Sequence, residues 1–499
     1  MYKFITKSVS KNYVPYSVCL CTSTVNTNLN EIGQGLRKIQ PKTNEIKSYG
    51  QPTPDTHPHL LKPGEFTPGL TLAEFKSRRE RFVDKLLSSS NTKKHCVVIP
   101  SAKKKYMSGK IPYVFRQNTD FMYMTGCLEP DSCLLLEIDN EKFTSTMFLR
   151  PKDKNMEMWD GVVTGLGDPG FFGVDQAIDI ADLNNYLDLT FKSSQPDTLW
   201  YNTEESEFTR LTSTVKELVK SAWGANLLSP TNLIHQLRLY KSSAEQKLMQ
   251  KTCQIASEAI NETISWSNPD ISEHHIFAKV DYECRMRNAS YLAYPPVVAS
   301  GQNATTIHYI NNCQMLKTGD TVLMDAGCEY GGYTSDITRT FPVSKSKLSD
   351  AQRVLYEIVL ETQKSLIRKL QEKAYSLDEL FEIMCLELGK YLKEIGFIPK
   401  HLSGVDLARA SYKYCPHHVS HYLGMDVHDT PSISRAIKLE PGMVFTIEPG
   451  LYISADNRVV SEEFRGLGVR IEDDALMLPN NKVQILTEAC VKEIKDIER

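Results

Sequence analysis

The pattern of apolar and polar positions divides the chain into two parts with different habits. Between residues 96 and 201 four short apolar runs, CVVIP (96–100), CLLLEI (133–138), TMFLR (146–150) and TLWY (198–201), alternate with turns and helix-patterned stretches. Runs of this length bounded by turn residues predict strands, so this part reads as an α/β domain reaching to about residue 230. Ahead of it, Leu72, Phe75, Phe82 and Leu86 recur at helical spacing behind Thr71-Leu-Ala-Glu74, which has the form of a capping box. A second such box, Ser242-Ser-Ala-Glu245, opens a long amphipathic stretch with Leu248, Ile255, Ala259 and Ile264 on one stripe. The domain boundary is placed just before it. Beyond, helical segments at 350–373 and 377–396 separate strand-like runs, which predicts an α+β domain.

Two N-terminal segments have another character. From Gly50 to Gly69, GQPTPDTHPHLLKPGEFTPG is rich in Pro and reads as an extended arm or linker. Before it, Lys3, Lys7 and Lys11, the absence of any acid before Glu31 and many Ser, Thr and Asn match the composition of a mitochondrial transit peptide. Pro15 and the use of Lys instead of Arg depart from that pattern. The expected organisation is a leader over 1–49, the arm over 50–69, an N-terminal domain over 70–235 and a C-terminal domain over 236–499.

Charge and cysteine usage narrow the function. With 58 basic and 61 acidic residues the net charge is −3, and no basic stripe marks a nucleic-acid partner. No window has the ~18 uninterrupted apolar residues of a membrane helix. The 12 cysteines run from Cys19 to Cys490 without a C-x-x-C pair, as expected for reduced, mostly buried thiols in a reducing compartment.

The chemistry lies in the C-terminal part. Residues 316–330, LKTGDTVLMDAGCEY, and 439–452, LEPGMVFTIEPGLY, share one frame: Leu-x-x-Gly, a β-rich run, an acid (Asp325 or Glu448), one residue, then Gly. A carboxylate at the end of an apolar run is costly to bury unless it is paired or metal-bound. Two in a repeated frame point to a site with internal pseudo-symmetry. Each acid has a downstream companion. Gly331-Gly332 suits a two-residue hairpin loop, and that register sets Asp325 opposite Thr338 with Asp336 on the diagonal. The run GVRIE ends in Glu472. Four converged carboxylates repel unless protons or cations intervene, and two divalent ions would neutralise them.

CPHHVSHYLGMDVHD (415–429) adds His417, His418, His421 and His428. His417 and His421 stand at i and i+4 as in H-E-x-x-H metalloproteases, but His418 occupies the place of the essential Glu, and Gly424 argues against a helix. That motif is rejected. Spacing alone does not decide which histidine completes the site.

Asp325, Asp336, His421, Glu448 and Glu472, in this order and context, resemble the five ligands of the metal-dependent pita-bread peptidases. SDITRT, HHVSHYLGMDVHD, TIEPGLY and FRGLGVRIEDD resemble the aminopeptidase P branch, which removes an N-terminal residue preceding proline. The arm together with IPYVFRQNTDFMYMTG, LAYPPVVASG and CPHHVSHYLGMDVHDTP resembles the mitochondrial subgroup of Xaa-Pro aminopeptidase 3 and the intermediate-cleaving peptidases. The resemblance runs from about residue 50 to the C-terminus. It implies an α/β N-terminal creatinase-like domain followed by an α+β pita-bread catalytic domain with pseudo-twofold symmetry.

The resemblance also implies roles. Asp325 would chelate one metal, His421 and Glu448 the other, with Asp336 and Glu472 bridging. Glu448 would be the general base, with His308, His417 and His428 as further catalytic histidines. Tyr294, His428, Asp325 and Arg470 would face or support the substrate, and Asp325 with its metal would hold the free α-amine. An oxygen-rich shell with one imidazole suits two divalent ions, manganese first, with zinc, cobalt or iron as alternatives. The expected partners are peptide or protein N-termini with Pro at the second position and a second copy of the chain in a homodimer. The expected location is mitochondrial, in the matrix, with the cytoplasm as a second site. The expected activity is hydrolysis of the N-terminal Xaa-Pro bond, extending to one-residue trimming of imported mitochondrial proteins. The alternatives are a prolidase restricted to Xaa-Pro dipeptides and a non-catalytic peptide-binding scaffold.

Overall fold

A computed structural model describes residues 47–221, 225–343 and 346–498. The leader falls almost entirely outside them. From Ser48 onward the chain packs as one unit.

The N-terminal domain is built on a six-stranded mixed sheet in the order Gln176–Asp179, Lys142–Leu149, Cys133–Asp139, Lys94–Pro100, Thr198–Trp200 and Asn226–Leu228. Every apolar run predicted as a strand lies in it. Helices Leu72–Ser89, Leu183–Ser194 and Thr209–Ser221 bury their apolar stripes against it. The helix at Leu72 begins where expected, but the Thr71 side chain makes no cap hydrogen bond. Glu74 is drawn forward to Arg78, 3.6 Å away, so the reciprocal box is not made.

The Pro-rich arm is a packed strap instead of an extended linker. Gln51 donates to the Gly126 carbonyl at 3.2 Å and accepts from Leu128 N–H at 3.0 Å. Phe66 stacks edge-on against Phe75, Phe171 and Phe172. One apolar cluster, including Phe75, Tyr123, Leu248, Tyr333, Leu423 and Val444, runs through both domains. Within it Arg78 is fully buried: its guanidinium donates to Tyr123 O and Tyr333 Oη, each at 3.1 Å, and lies 3.2 Å from Glu245. That charge ties the first helix of one domain to the other.

The C-terminal domain opens with the helix Ser243–Trp266, where Ser242 and Glu245 form the complete capping box. Helices Glu273–Met286, Asp350–Glu372 and Leu377–Glu394 cover two short antiparallel sheets, Val297–Ser300/Thr321–Ala326/Ile337–Pro342 and Val444–Ile447/Asp473–Met477/Val483–Ile485. The hairpin register follows the two-glycine loop: Tyr330 pairs with Tyr333, Ala326 with Ile337 and Asp325 with Thr338. Gly331 and Gly332 take φ of 60° and 83°, the left-handed pair that a tight hairpin turn demands. In the second half Ile447 pairs with Asp473 and Gly450 with Arg470, which leaves Glu448 opposite Glu472 between the two ladders. Among the described residues no helix is long and apolar enough to cross a membrane. All ten described cysteines are free, and only Cys313 is exposed.

Candidate metal centre

Of the four carboxylates only Asp325 lies inside a strand; Asp336, Glu448 and Glu472 sit where ladders are interrupted. The interruptions have partners. Asp336 N–H is taken by the Asp474 carboxylate at 3.0 Å, Glu472 N–H by Thr338 O at 3.0 Å, and Glu448 N–H by Val419 O at 2.9 Å. Breaking the ladder turns these side chains to one place. Ligand atoms of Asp336, His421 and Glu472, all buried, lie within 4.8 Å of one another. His421 Nε2 is 3.4 Å from Asp336 and 3.7 Å from Glu448. The Tyr294 hydroxyl lies against both Asp325 and Asp336, which joins Asp325 to the group.

The hairpin needs Gly327 for this. A Cβ there would lie 1.8 Å from the Ser335 carbonyl oxygen and 3.2 Å from the Tyr294 ring. The close approach of the two strands sets the separation of Asp325 and Asp336.

Electrostatics describe a site built for cations. Burial raises Glu448 to about 7, with Asp336 and Asp325 adding to it against the pull of His421 and Arg470. Burial and the same neighbouring carboxylates lift Glu472 well above the usual range. Burial raises Asp325 against the guanidinium of Arg470. For Asp336 burial is outweighed by the hydrogen bond to His421, which lowers it. Burial alone would depress His421, but Asp336 and Glu448 raise it to about 9. Its Nδ1 faces the Tyr422 carbonyl at 3.1 Å, which places a proton on Nδ1 and turns Nε2 to the carboxylates. Carboxylates that retain protons, and an imidazole that binds one, form a donor set in which a divalent cation can replace protons. The residues fit a divalent metal.

The substrate-side residues separate into an inner and an outer group. Arg470, 2% exposed, donates to Asp325 at 2.7 Å, Thr338 at 3.0 Å and Tyr452 at 2.8 Å. The Thr338 hydroxyl in turn donates a hydrogen bond to Glu472 at 2.8 Å. His417 faces the His418 carbonyl through Nδ1 at 2.9 Å, so its Nε2 accepts from the Tyr452 hydroxyl at 2.9 Å. Burial, then Arg470, lowers it to about 4, which keeps it neutral. His428 and His308 are exposed at the rim. The His428 ring meets His421 edge-on with centroids 4.6 Å apart, and burial followed by the charge of His421 depresses it. His308 lies on the turn after Gly301–Thr305, and its charge acts on both His417 and His428. His418 stands apart, stacked on Phe381 and facing Asp378.

Thr338, Thr446 and Tyr452 were not singled out from the sequence. Thr338 could have been, because the predicted register places it opposite Asp325. Tyr452 closes TIEPGLY, but a tyrosine in a strand reads first as core. Thr446 donates to Glu448 at 3.3 Å and accepts from His421 N–H at 3.2 Å, a link no local pattern signals.

Comparison with known proteins identifies the family. The aminopeptidase P N-terminal domain matches residues 75–200, and metallopeptidase family M24 matches residues 247–478. The chain is 41% identical over 461 residues to Xaa-Pro aminopeptidase 3 of Mus musculus, covering 90% of each. It is 37% identical over 465 residues to the mitochondrial intermediate cleaving peptidase 55 of Arabidopsis thaliana, covering 91% of this chain and 88% of the relative. The structure of Escherichia coli aminopeptidase P with the inhibitor Pro-Leu superposes with a TM-score of 0.78 at 31% identity, over 86% of this chain and 98% of that one. A creatinase-like α/β domain, a pita-bread domain and a buried carboxylate–imidazole donor set together place this chain in the aminopeptidase P branch of metallopeptidase family M24.

Proposed function

We propose that the chain is a metal-dependent aminopeptidase that hydrolyses the N-terminal Xaa-Pro bond of peptides and trims imported mitochondrial proteins by one residue. The observation that carries this reading is the convergence of Asp336, Glu448 and Glu472 around His421, with Asp325 joined to Asp336 through the Tyr294 hydroxyl. Two divalent ions would be held there by Asp325, Asp336, His421, Glu448 and Glu472. Manganese suits the oxygen-rich set. Bound ions supply Lewis-acid polarisation of the scissile carbonyl and activate the attacking water.

The chain's own residues do the rest. Glu448, which Thr446 orients at 3.3 Å, would take a proton from the attacking water and pass it to the leaving proline nitrogen. Neutral His417, fixed by Tyr452, offers its ring to the substrate without a competing charge. His428 and His308 at the rim orient the peptide carbonyl. The bond before proline lacks an N–H, so recognition rests on shape and on the free amine at Asp325 instead of an amide hydrogen bond.

A homodimer is part of the proposal. Met158 and Trp159, on the helix Lys154–Asp160, are 82% and 84% exposed, and Lys104, beside the apolar hairpin of Tyr106, Met107 and Ile111, reaches Asp160 at 3.1 Å. Exposed large apolar side chains on two segments joined by an ion pair suit a protein–protein contact. A mitochondrial location is supported by the transit-peptide-like leader and by the Arabidopsis relative. The deciding experiment combines metal analysis of the purified protein with hydrolysis of Xaa-Pro dipeptides, Xaa-Pro-Xaa tripeptides and Xaa-Ala-Xaa controls. Metal-dependent cleavage of the proline tripeptides supports the reading. Cleavage of dipeptides alone makes the protein a prolidase, and no metal or turnover leaves a peptide-binding scaffold.

A further inference from the structure

His428 is held by its backbone, because its imidazole makes no hydrogen bond to any described residue. That backbone is strained: Thr430 has φ of 49°, rare for a β-branched residue, and its buried hydroxyl has no partner. Such conformations persist only where the surroundings over-determine them. Here the surroundings are charges on both flanks. Buried Asp429 accepts from Arg238 and, at 3.1 Å, from Lys241. Asp426 accepts from Arg238 at 2.7 Å, Thr119 at 2.7 Å and Arg116 at 3.0 Å. Arg116 and Thr119 belong to the N-terminal domain.

Arg116 does more than hold one loop. Its Nη2 also donates to the Met425 carbonyl at 2.8 Å, and its Nε donates to Glu329 at 2.8 Å. Glu329 lies on Cys328–Tyr330, in the same hairpin as Asp325 and Asp336, and is steadied by the Tyr291 hydroxyl at 2.8 Å. One planar guanidinium therefore grips the hairpin of the first half of the site and the His428 loop of the second, a bridge that a lysine cannot reproduce.

We infer that Arg116 is a positioning residue for peptide hydrolysis, fastening the His428 loop to the Asp325–Asp336 hairpin from the N-terminal domain. The inference rests on the proposed role of His428 at the substrate. The Arg116 side chain is 41% exposed, which limits what its ion pairs add to stability, but Glu329 is 7% exposed and loses a cation with it. Loss of Arg116 should therefore appear as misplacement beyond a modest loss of stability.

The test uses the full chain loaded with Mn²⁺, with Arg116→Met and Thr119→Val each made alone and together with His428→Asn. Turnover of an Xaa-Pro-Xaa tripeptide, metal content, and deuterium exchange over residues 424–431 are measured. Arg116→Met should lower kcat/KM roughly 10- to 100-fold, the usual cost of losing a group that supports a site residue. Metal content should stay unchanged and the protein should remain folded at the assay temperature while exchange across 424–431 quickens. Thr119→Val should move both in the same direction by less. Added to His428→Asn, Arg116→Met should change kcat/KM by less than about threefold, because the two act as one unit. An equal loss in both backgrounds, or unchanged exchange, overturns the inference while the role of His428 stands. Full turnover by His428→Asn overturns both.

Discussion

Arg470, from the second half of the catalytic domain, donates to Asp325, from the first half, at 2.7 Å. The two residues are 145 positions apart in the chain, and their contact closes the site across its pseudo-twofold axis. The same guanidinium holds Thr338 and Tyr452, so one cation sets a candidate ligand, a ligand's neighbour and the partner of His417.

Replacing Arg470 with Met should therefore weaken metal binding by roughly 10- to 100-fold, as outer-shell losses do at other metal sites. Competition against a fluorescent chelator reads this directly. Unchanged metal affinity would show that the guanidinium does not support Asp325.

Glu448→Gln preserves shape while removing the base. It should lower kcat by roughly 10²- to 10⁴-fold on Xaa-Pro-Xaa tripeptides. Retention of full metal-dependent turnover would exclude Glu448 as the proton carrier.

Gly327→Ala should abolish metal binding and cost about 3 kcal/mol or more, since the added methyl meets backbone instead of a movable side chain. Metal analysis and chemical unfolding test it together. A stable, metal-replete variant would contradict the proposed strand approach.

Arg78→Met should destabilise the protein by about 3–5 kcal/mol, because Glu245, 1% exposed, keeps its charge in the interior without its cation. Denaturant unfolding provides the measurement, and a loss below about 1 kcal/mol would mean that Tyr333 and the Ser242 N–H suffice for Glu245.

The Asp426 clamp predicts a pH dependence. Burial would raise Asp426, but Arg238 and Arg116 outweigh it and hold its carboxyl at about 2, below the ordinary value of 3.8. A folded-state value below the unfolded one stabilises the native state above about pH 4, and the contribution fades as pH falls towards 2. Asp426→Asn should lower stability at pH 6 by roughly 1–2 kcal/mol, discounted for partial solvent access. The gap to the parent protein should close between about pH 4 and pH 2. A gap that stays constant over that range would place the effect elsewhere than in the charge.

Much of the framework was legible locally. The strands of the N-terminal sheet, the helix opened by Ser242 and the pairing of Asp325 with Thr338 depend on period, capping and turn geometry, which act over a few residues. The Thr71 box shows the limit of such rules, because Glu74 had a better partner one turn away in Arg78. The arm shows it as well: prolines mark an extended backbone but not what it packs against.

What the sequence by itself determined is the local register that brings Asp325 near Asp336 and the supply of five candidate metal-binding side chains in a recognisable order. Only the tertiary structure decided that Glu448 stands opposite Glu472, that His421 turns Nε2 to Asp336 and Glu448 while His418 turns to Phe381 and Asp378, and that Arg470 reaches Asp325. It alone joined Arg116 to Glu329 and Asp426, 213 and 310 positions away. Hydrophobic periodicity and turn chemistry are short-range and leave a trace in neighbouring residues. A buried charge finds its partner through the whole packed fold, and no local pattern records which partner it meets.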